Sequence, residues 1–210
     1  MEILTVLLVP AAFVYYSAGN RFSNLPTYRL SFLSGLLCGI LLIFFDSVIM
    51  GLFPWNSANF LVQYTLILFS LLVIPFIAGP ALLNVVFIAQ PIDRILRTVP
   101  QLFGIFSFYL PYIIFYRLPV FDIWVVLMVP VLYVSFIFMV EFILKHYCST
   151  LRYTPRFESV LFAQLPVLAL IVILPVLVCL WYFCFPSFFY WIPSFVMVLF
   201  SVGIRIRKYF

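Results

Sequence analysis

Charge is what this sequence has least of. Six carboxylates and one histidine are spread over 210 residues, and charged residues make up only 8% of the chain. A soluble globular domain carries roughly a quarter charged residues, so a water-facing surface is excluded. The lone histidine, His146, stands two positions from Cys148, and two ligands fall short of the three or four that zinc requires. Among Cys38, Cys148, Cys179 and Cys184 there is no CxxC pair. Cys179 and Cys184 read as the small apolar filler that buried cysteines usually supply, with a disulfide between them as the alternative in an oxidising compartment. No serine–histidine arrangement, phosphate-cradling glycine loop or carboxylate pair occurs, which argues against an ordinary hydrolase or nucleotide-driven enzyme. Neither a cofactor nor a metal is expected.

What is there is apolar. Hydrophobic residues make up 67% of the chain and gather into seven candidate spans, roughly Ile3–Tyr16, Leu30–Phe53, Ala58–Ala89, Val99–Tyr116, Ile123–Leu144, Ser159–Phe183 and Phe188–Ile204. A bilayer core of ~30 Å takes about 20 residues of helix, and most of these segments fit. The expected fold is an all-α polytopic transmembrane bundle forming a single domain over 1–210. The first segment is short and carries Glu2 where a cleavable signal would be basic, so it reads as a retained anchor.

The few cations are not scattered. Arg21 and Arg29 follow the first span, Arg94 and Arg97 the third, Lys145, Arg152 and Arg156 the fifth, and Arg205, Arg207 and Lys208 the seventh. Only Arg117 falls in an intervening gap. Basic loops stay cytoplasmic, so the N-terminus is placed outside and the C-terminus inside. The overlong third segment, interrupted by Pro75, Gly79 and Pro80, must then cross once, as a tilted, kinked or partly re-entrant span. Two crossings would turn the later basic loops to the other side. Trp55, Trp124, Trp181 and Trp191 all fall at ends assigned to the outside, where an indole keeps its ring in lipid and its N–H wet. The formal charge of +5 lies in short loops beside membrane ends and forms no extended patch, which speaks against nucleic acid. The expected partners are the lipid bilayer, whose anionic headgroups attract such cations, and other membrane proteins. A bacterial cytoplasmic membrane is the expected location.

Nine prolines fall within the spans: Pro10, Pro75, Pro80, Pro100, Pro111, Pro130, Pro166, Pro175 and Pro193. Broken helices around a transporter site are one reading; ordinary tolerance of proline by membrane helices is the other. Pro100 reads as part of a helix start, with Thr98 and Gln101 as a capping box.

Polar side chains inside hydrocarbon are expensive and are candidates by default. Asn84, Gln101, Glu141 and Gln164 lie within about two turns of the cytoplasmic face, as a vestibule lining or as interfacial groups, with Glu141 reaching Lys145 four residues on. Asp46 and Gln63 lie a comparable distance from the outer face. Asp46 either bonds Gln63 or pairs with Arg117, as a structural pair or as a solute or proton site.

A run LLVPAAFVYY in the first span is followed by PTYRLSFLSG (Pro26–Gly35), a third long span, PIDRIL (Pro91–Leu96) and Gly104. In this order of features the chain resembles the PrsW-type intramembrane metalloproteases over about half its length. The family's catalytic positions do not carry over. Gly79 and Pro80 stand where a glutamate pair belongs, Leu83–Asn84 near the family's lysine, and Tyr109 where the next span offers a glutamate. The resemblance therefore implies a member without its metal site.

Three functions remain open: a non-enzymatic scaffold or complex subunit, a small permease or ion pathway through Asp46 and the inner polar layer, and a metalloprotease-like membrane enzyme.

Overall fold

The computed structural model describes residues 2–18, 26–50, 59–69, 91–116, 123–153, 172–180 and 191–206, together with Pro75 and Ala169. Among these, every element is a helix: α1 (Glu2–Ala18), α2 (Pro26–Met50), α3 (Phe60–Ile67), α4 (Pro91–Tyr116), α5 (Ile123–Tyr153), α6 (residues 172–180) and α7 (Trp191–Ile206). Among the described residues, three stretches are long and apolar enough to cross a bilayer: Tyr28–Val48, Arg97–Tyr116 and Val126–Ile143. The α4 stretch is 78% buried and the α2 stretch only 33%, so α4 is the central post and α2 a peripheral one.

The start of α4 corrects the capping box expected at Thr98. The helix opens at Pro91 and is already running when it reaches Thr98. Proline suits a first turn because its missing N–H would be unpaired there anyway, and Pro91 supplies that opening. Pro100 lies inside the helix, where it gives up the backbone bond to the Leu96 carbonyl and its ring crowds that carbonyl.

At the other extreme, α5 does not stop at Leu144 as hydropathy suggests. It continues to Tyr153, so His146, Cys148 and Arg152 are helical positions and not loop positions. Its 31 residues span about 46 Å, well beyond a hydrocarbon core of ~30 Å. Helix α3 starts where Asn59 caps it, its side-chain oxygen accepting from the Leu61 N–H at 3.1 Å. The rest of the overlong third segment, including Gly79, Pro80 and Asn84, lies outside the described residues.

Helix directions follow from which residues meet. Gly35 abuts Gln101 and Gly39 abuts Ile105; both numbers advance by four, so α2 and α4 run parallel. Phe13 stacks on Phe32 at 3.9 Å and Tyr16 on Tyr28 at 6.2 Å, so α1 is antiparallel to α2. Phe103 meets Phe138 at 5.9 Å and Phe106 meets Tyr133 at 5.0 Å, which sets α5 antiparallel to α4. Helix α7 packs along α5 and starts level with it, Trp191 lying edge-on to Trp124 at 4.8 Å. The chain between α2 and α4 consequently returns to the end from which α2 set out.

The tightest contact in the bundle is the seam between α2 and α4. A methyl group built on Gly35 would run into the Gln101 carbonyl, and one on Gly104 into the Phe32 carbonyl. One on Gly39 would lie 2.7 Å from the Ile105 oxygen. Small residues let helix backbones approach this closely in lipid, where the hydrophobic effect does not drive helices together.

Candidate functional site

The antiparallel and parallel contacts bring one set of helix ends together: the C-terminal ends of α1, α5 and α7 and the N-terminal ends of α2 and α4. Arg29, Arg97 and Lys145 are all at this end, and Trp124 and Trp191 lie at the opposite one. A six-ring aromatic cluster of Phe13, Tyr16, Tyr28, Phe32, Phe103 and Phe138 joins four helices near the basic end. Ring pairs of this kind add about 0.5–1.5 kcal/mol each beyond area alone.

Level with the cluster is the polar layer. Gln101 precedes Phe103 by two residues and Glu141 follows Phe138 by three, so they occupy one level on antiparallel helices. Gln101 is 1% exposed and Glu141 7%. Glu141 is paired with the ammonium of Lys145 one turn further on, as the four-residue spacing suggests. Gln101 caps no helix end: it sits mid-helix, its backbone carbonyl pressed against Gly35. The structure thus brings two of the four inner candidates to one level. Asn84 and Gln164 lie outside the described residues.

At the other end, Asp46 is 6% exposed and one turn short of the end of α2. The Gln63 side chain and Arg117, its two expected partners, lie outside the described residues. Several other polar groups are satisfied within their own helices. The hydroxyls of Ser17, Ser34, Ser47, Ser107 and Ser201 each donate to a carbonyl three or four residues earlier at 2.7–2.8 Å, a common way to carry serine in an apolar helix.

Sequence reasoning did not single out Tyr133. This residue is fully buried on α5, its phenol within electrostatic reach of Tyr109 on α4 and Cys179 on α6. Its oxygen has no hydrogen-bond partner among the described residues. Nothing in the sequence separates it from the other aromatic residues. The glycine seam did carry a signal, the four-residue spacing of Ser31, Gly35 and Gly39.

Among the described residues no three His, Cys, Asp or Glu side chains converge as metal ligands. Cys38 and Cys179 are buried free thiols. What the inner layer can do chemically is limited: a neutralised carboxylate and one amide can orient a polar guest, but supply no nucleophile. No protein-family model matches the chain, and no curated protein and no solved structure matches it.

Proposed function

We propose that this chain is a seven-span protein of a bacterial cytoplasmic membrane, N-terminus outside, that serves as a non-enzymatic scaffold or subunit of a membrane complex. The single observation that carries the non-catalytic reading is the state of the buried carboxylate. Glu141 is buried and paired with Lys145 one turn along its own helix, so the charge serves as a structural element of α5. Two observations support the topology. Parallel α2 and α4 require the chain between them to traverse the bundle an odd number of times, in keeping with one crossing by the third segment. The basic residues Arg29, Arg97 and Lys145 share one end, as cytoplasmic loops would.

The outward surfaces suit burial in lipid or against a partner. Leu33, Leu37, Ile40, Leu41, Phe44 and Phe45 on α2 are all exposed. The test is purification from the membrane in mild detergent after cross-linking. A defined partner at constant stoichiometry is expected, and a clean monomer with no bound protein counts against the reading. The resemblance to the PrsW-type proteases fits the same proposal, as a relative that has kept a scaffold and lost its metal site. Stoichiometric zinc in the purified protein would overturn that.

Asp46 motivates a second reading, a small permease or proton pathway. A carboxylate 6% exposed in a span is expensive to keep without a use. Asp46→Asn and Glu141→Gln, assayed for solute or proton flux in vesicles, test it; flux unchanged in both removes the motive.

A further inference from the structure

Register across the glycine seam has a consequence at the basic end. With Gly35 opposite Gln101, Arg97 stands level with residue 31 of α2, and Arg29 lies two residues beyond that level. Two residues of helix are about 3 Å. Arg97 precedes Gly104 by seven residues, two turns, and so continues the α2-facing side of α4. Arg29 stands on the flank of α2, exposed, and Arg97 is half-buried. Two guanidinium groups are therefore held at one level on the two helices whose backbones approach most closely in the described bundle.

Neither has a hydrogen-bond or ion-pair partner among the described residues. Of the carboxylates whose side chains are described, Glu141 is committed to Lys145, and Asp46 is near the far end of α2. Two like charges at one level call for an anion between them. Both N-terminal ends face the same way here, adding partial positive charge. The level is that of a membrane surface, since Tyr28–Val48 and Arg97–Tyr116 are the stretches able to cross the hydrocarbon and both arginines stand at their starts.

We propose that Arg29 and Arg97 form a binding site for the phosphate of an anionic lipid headgroup, clamped across the α2–α4 seam. Planar guanidinium forks suit phosphate oxygens, which accept two parallel N–H bonds from each. The acyl chains of such a lipid run along the exposed α2 face of Leu30, Leu33 and Leu37. Whereas diffuse attraction to an anionic surface counts charges wherever they are, a clamp depends on these two and on their shape.

The experiment reconstitutes the full chain in nanodiscs of phosphatidylcholine with one-fifth phosphatidylglycerol by composition, on the order of physiological surface charge, and measures co-retained lipid by native mass spectrometry. Wild-type protein is expected to retain phosphatidylglycerol selectively. Arg29→Gln with Arg97→Gln should weaken that retention about tenfold, a change of roughly 1.4 kcal/mol. Arg205→Gln with Arg207→Gln removes two charges of the C-terminal basic run and should leave retention unchanged. Equal losses in the two double variants overturn the clamp in favour of diffuse attraction, and absence of selectivity in the wild type overturns it outright. Should the glutamine pair fail to fold, Arg29→Lys with Arg97→Lys keeps both charges without the forks; wild-type retention there also overturns the proposal. Inorganic phosphate added to protein in neutral detergent separates the two phosphate sources. Retention of free phosphate lost in the glutamine pair, without selective lipid retention, overturns the lipid assignment.

Discussion

One carbon added to Gly35 would collide with the backbone carbonyl of Gln101. Alanine ordinarily improves a helix over glycine by about 1 kcal/mol. Here the obstructing atom belongs to the main chain of α4 and cannot swing aside, and overpacking of this kind costs ~1–3 kcal/mol. Gly35→Ala is therefore expected to lower the thermal midpoint in detergent by several degrees. Gly203→Ala on α7 meets nothing within 4 Å and should hold or raise it. Equal midpoints for the two variants would show that α2 and α4 are not in backbone contact.

The Glu141–Lys145 pair is unequal in its surroundings: the Lys145 side chain is 37% exposed and the Glu141 side chain 9%. Removing the lysine takes the counter-charge from a carboxylate that water barely reaches; removing the charge on the glutamate leaves an ammonium that water does reach. Lys145→Ala should thus destabilise more than Glu141→Gln. Because one partner is more than a third exposed, screening holds the loss near ~1–2 kcal/mol, below that of a fully buried pair. Chemical denaturation in mixed micelles measures the order. The reverse order would mean that the other contacts of Glu141 hold its carboxylate more firmly than Lys145 does.

Tyr133 makes the opposite kind of prediction. A buried phenol without an acceptor is a liability of about 1–3 kcal/mol, and its ring already packs against Phe106 at 5.0 Å. Tyr133→Phe keeps the ring and removes the donor, so stability should stay level or rise. A clear drop in midpoint would reveal an ordered water or bound group accepting from that oxygen.

These contacts differ in how far the sequence announced them. The Glu141–Lys145 pair was legible because four-residue spacing on a helix is a local rule, independent of what packs nearby. That Trp124 and Trp191 share one end was legible for a similar reason: an indole's expected preference for an interface depends on depth alone. The helix limits were not. Hydropathy near Leu144 marks the edge of lipid, whereas α5 is a hydrogen-bonded ladder that has no reason to end there and runs to Tyr153. Thr98, Pro100 and Gln101 have the composition of a helix start, but caps matter only where backbone donors are unpaired, and Pro91 had already opened α4. The partner of the Ser31–Gly35–Gly39 stripe depends on tertiary register, which residue spacing on one helix does not specify.

Helix α7 offers a test of direction that does not depend on the charge rule. Trp191 opens it beside Trp124, and Arg205 lies in its last turn. Sixteen residues extend about 24 Å, enough to separate the two positions to opposite sides of most of a hydrocarbon core. Single cysteines at Trp191→Cys and Arg205→Cys, in a background with Cys148 and Cys184 replaced by serine, can be probed with a membrane-impermeant maleimide on intact cells. Cys38 and Cys179 are buried and should add little background. Labelling of position 191 from outside, and of position 205 only after the membrane is opened, is the expected result. Labelling of 205 alone in intact cells would invert the proposed orientation, and equal labelling of both would mean that α7 lies along the membrane surface without crossing it.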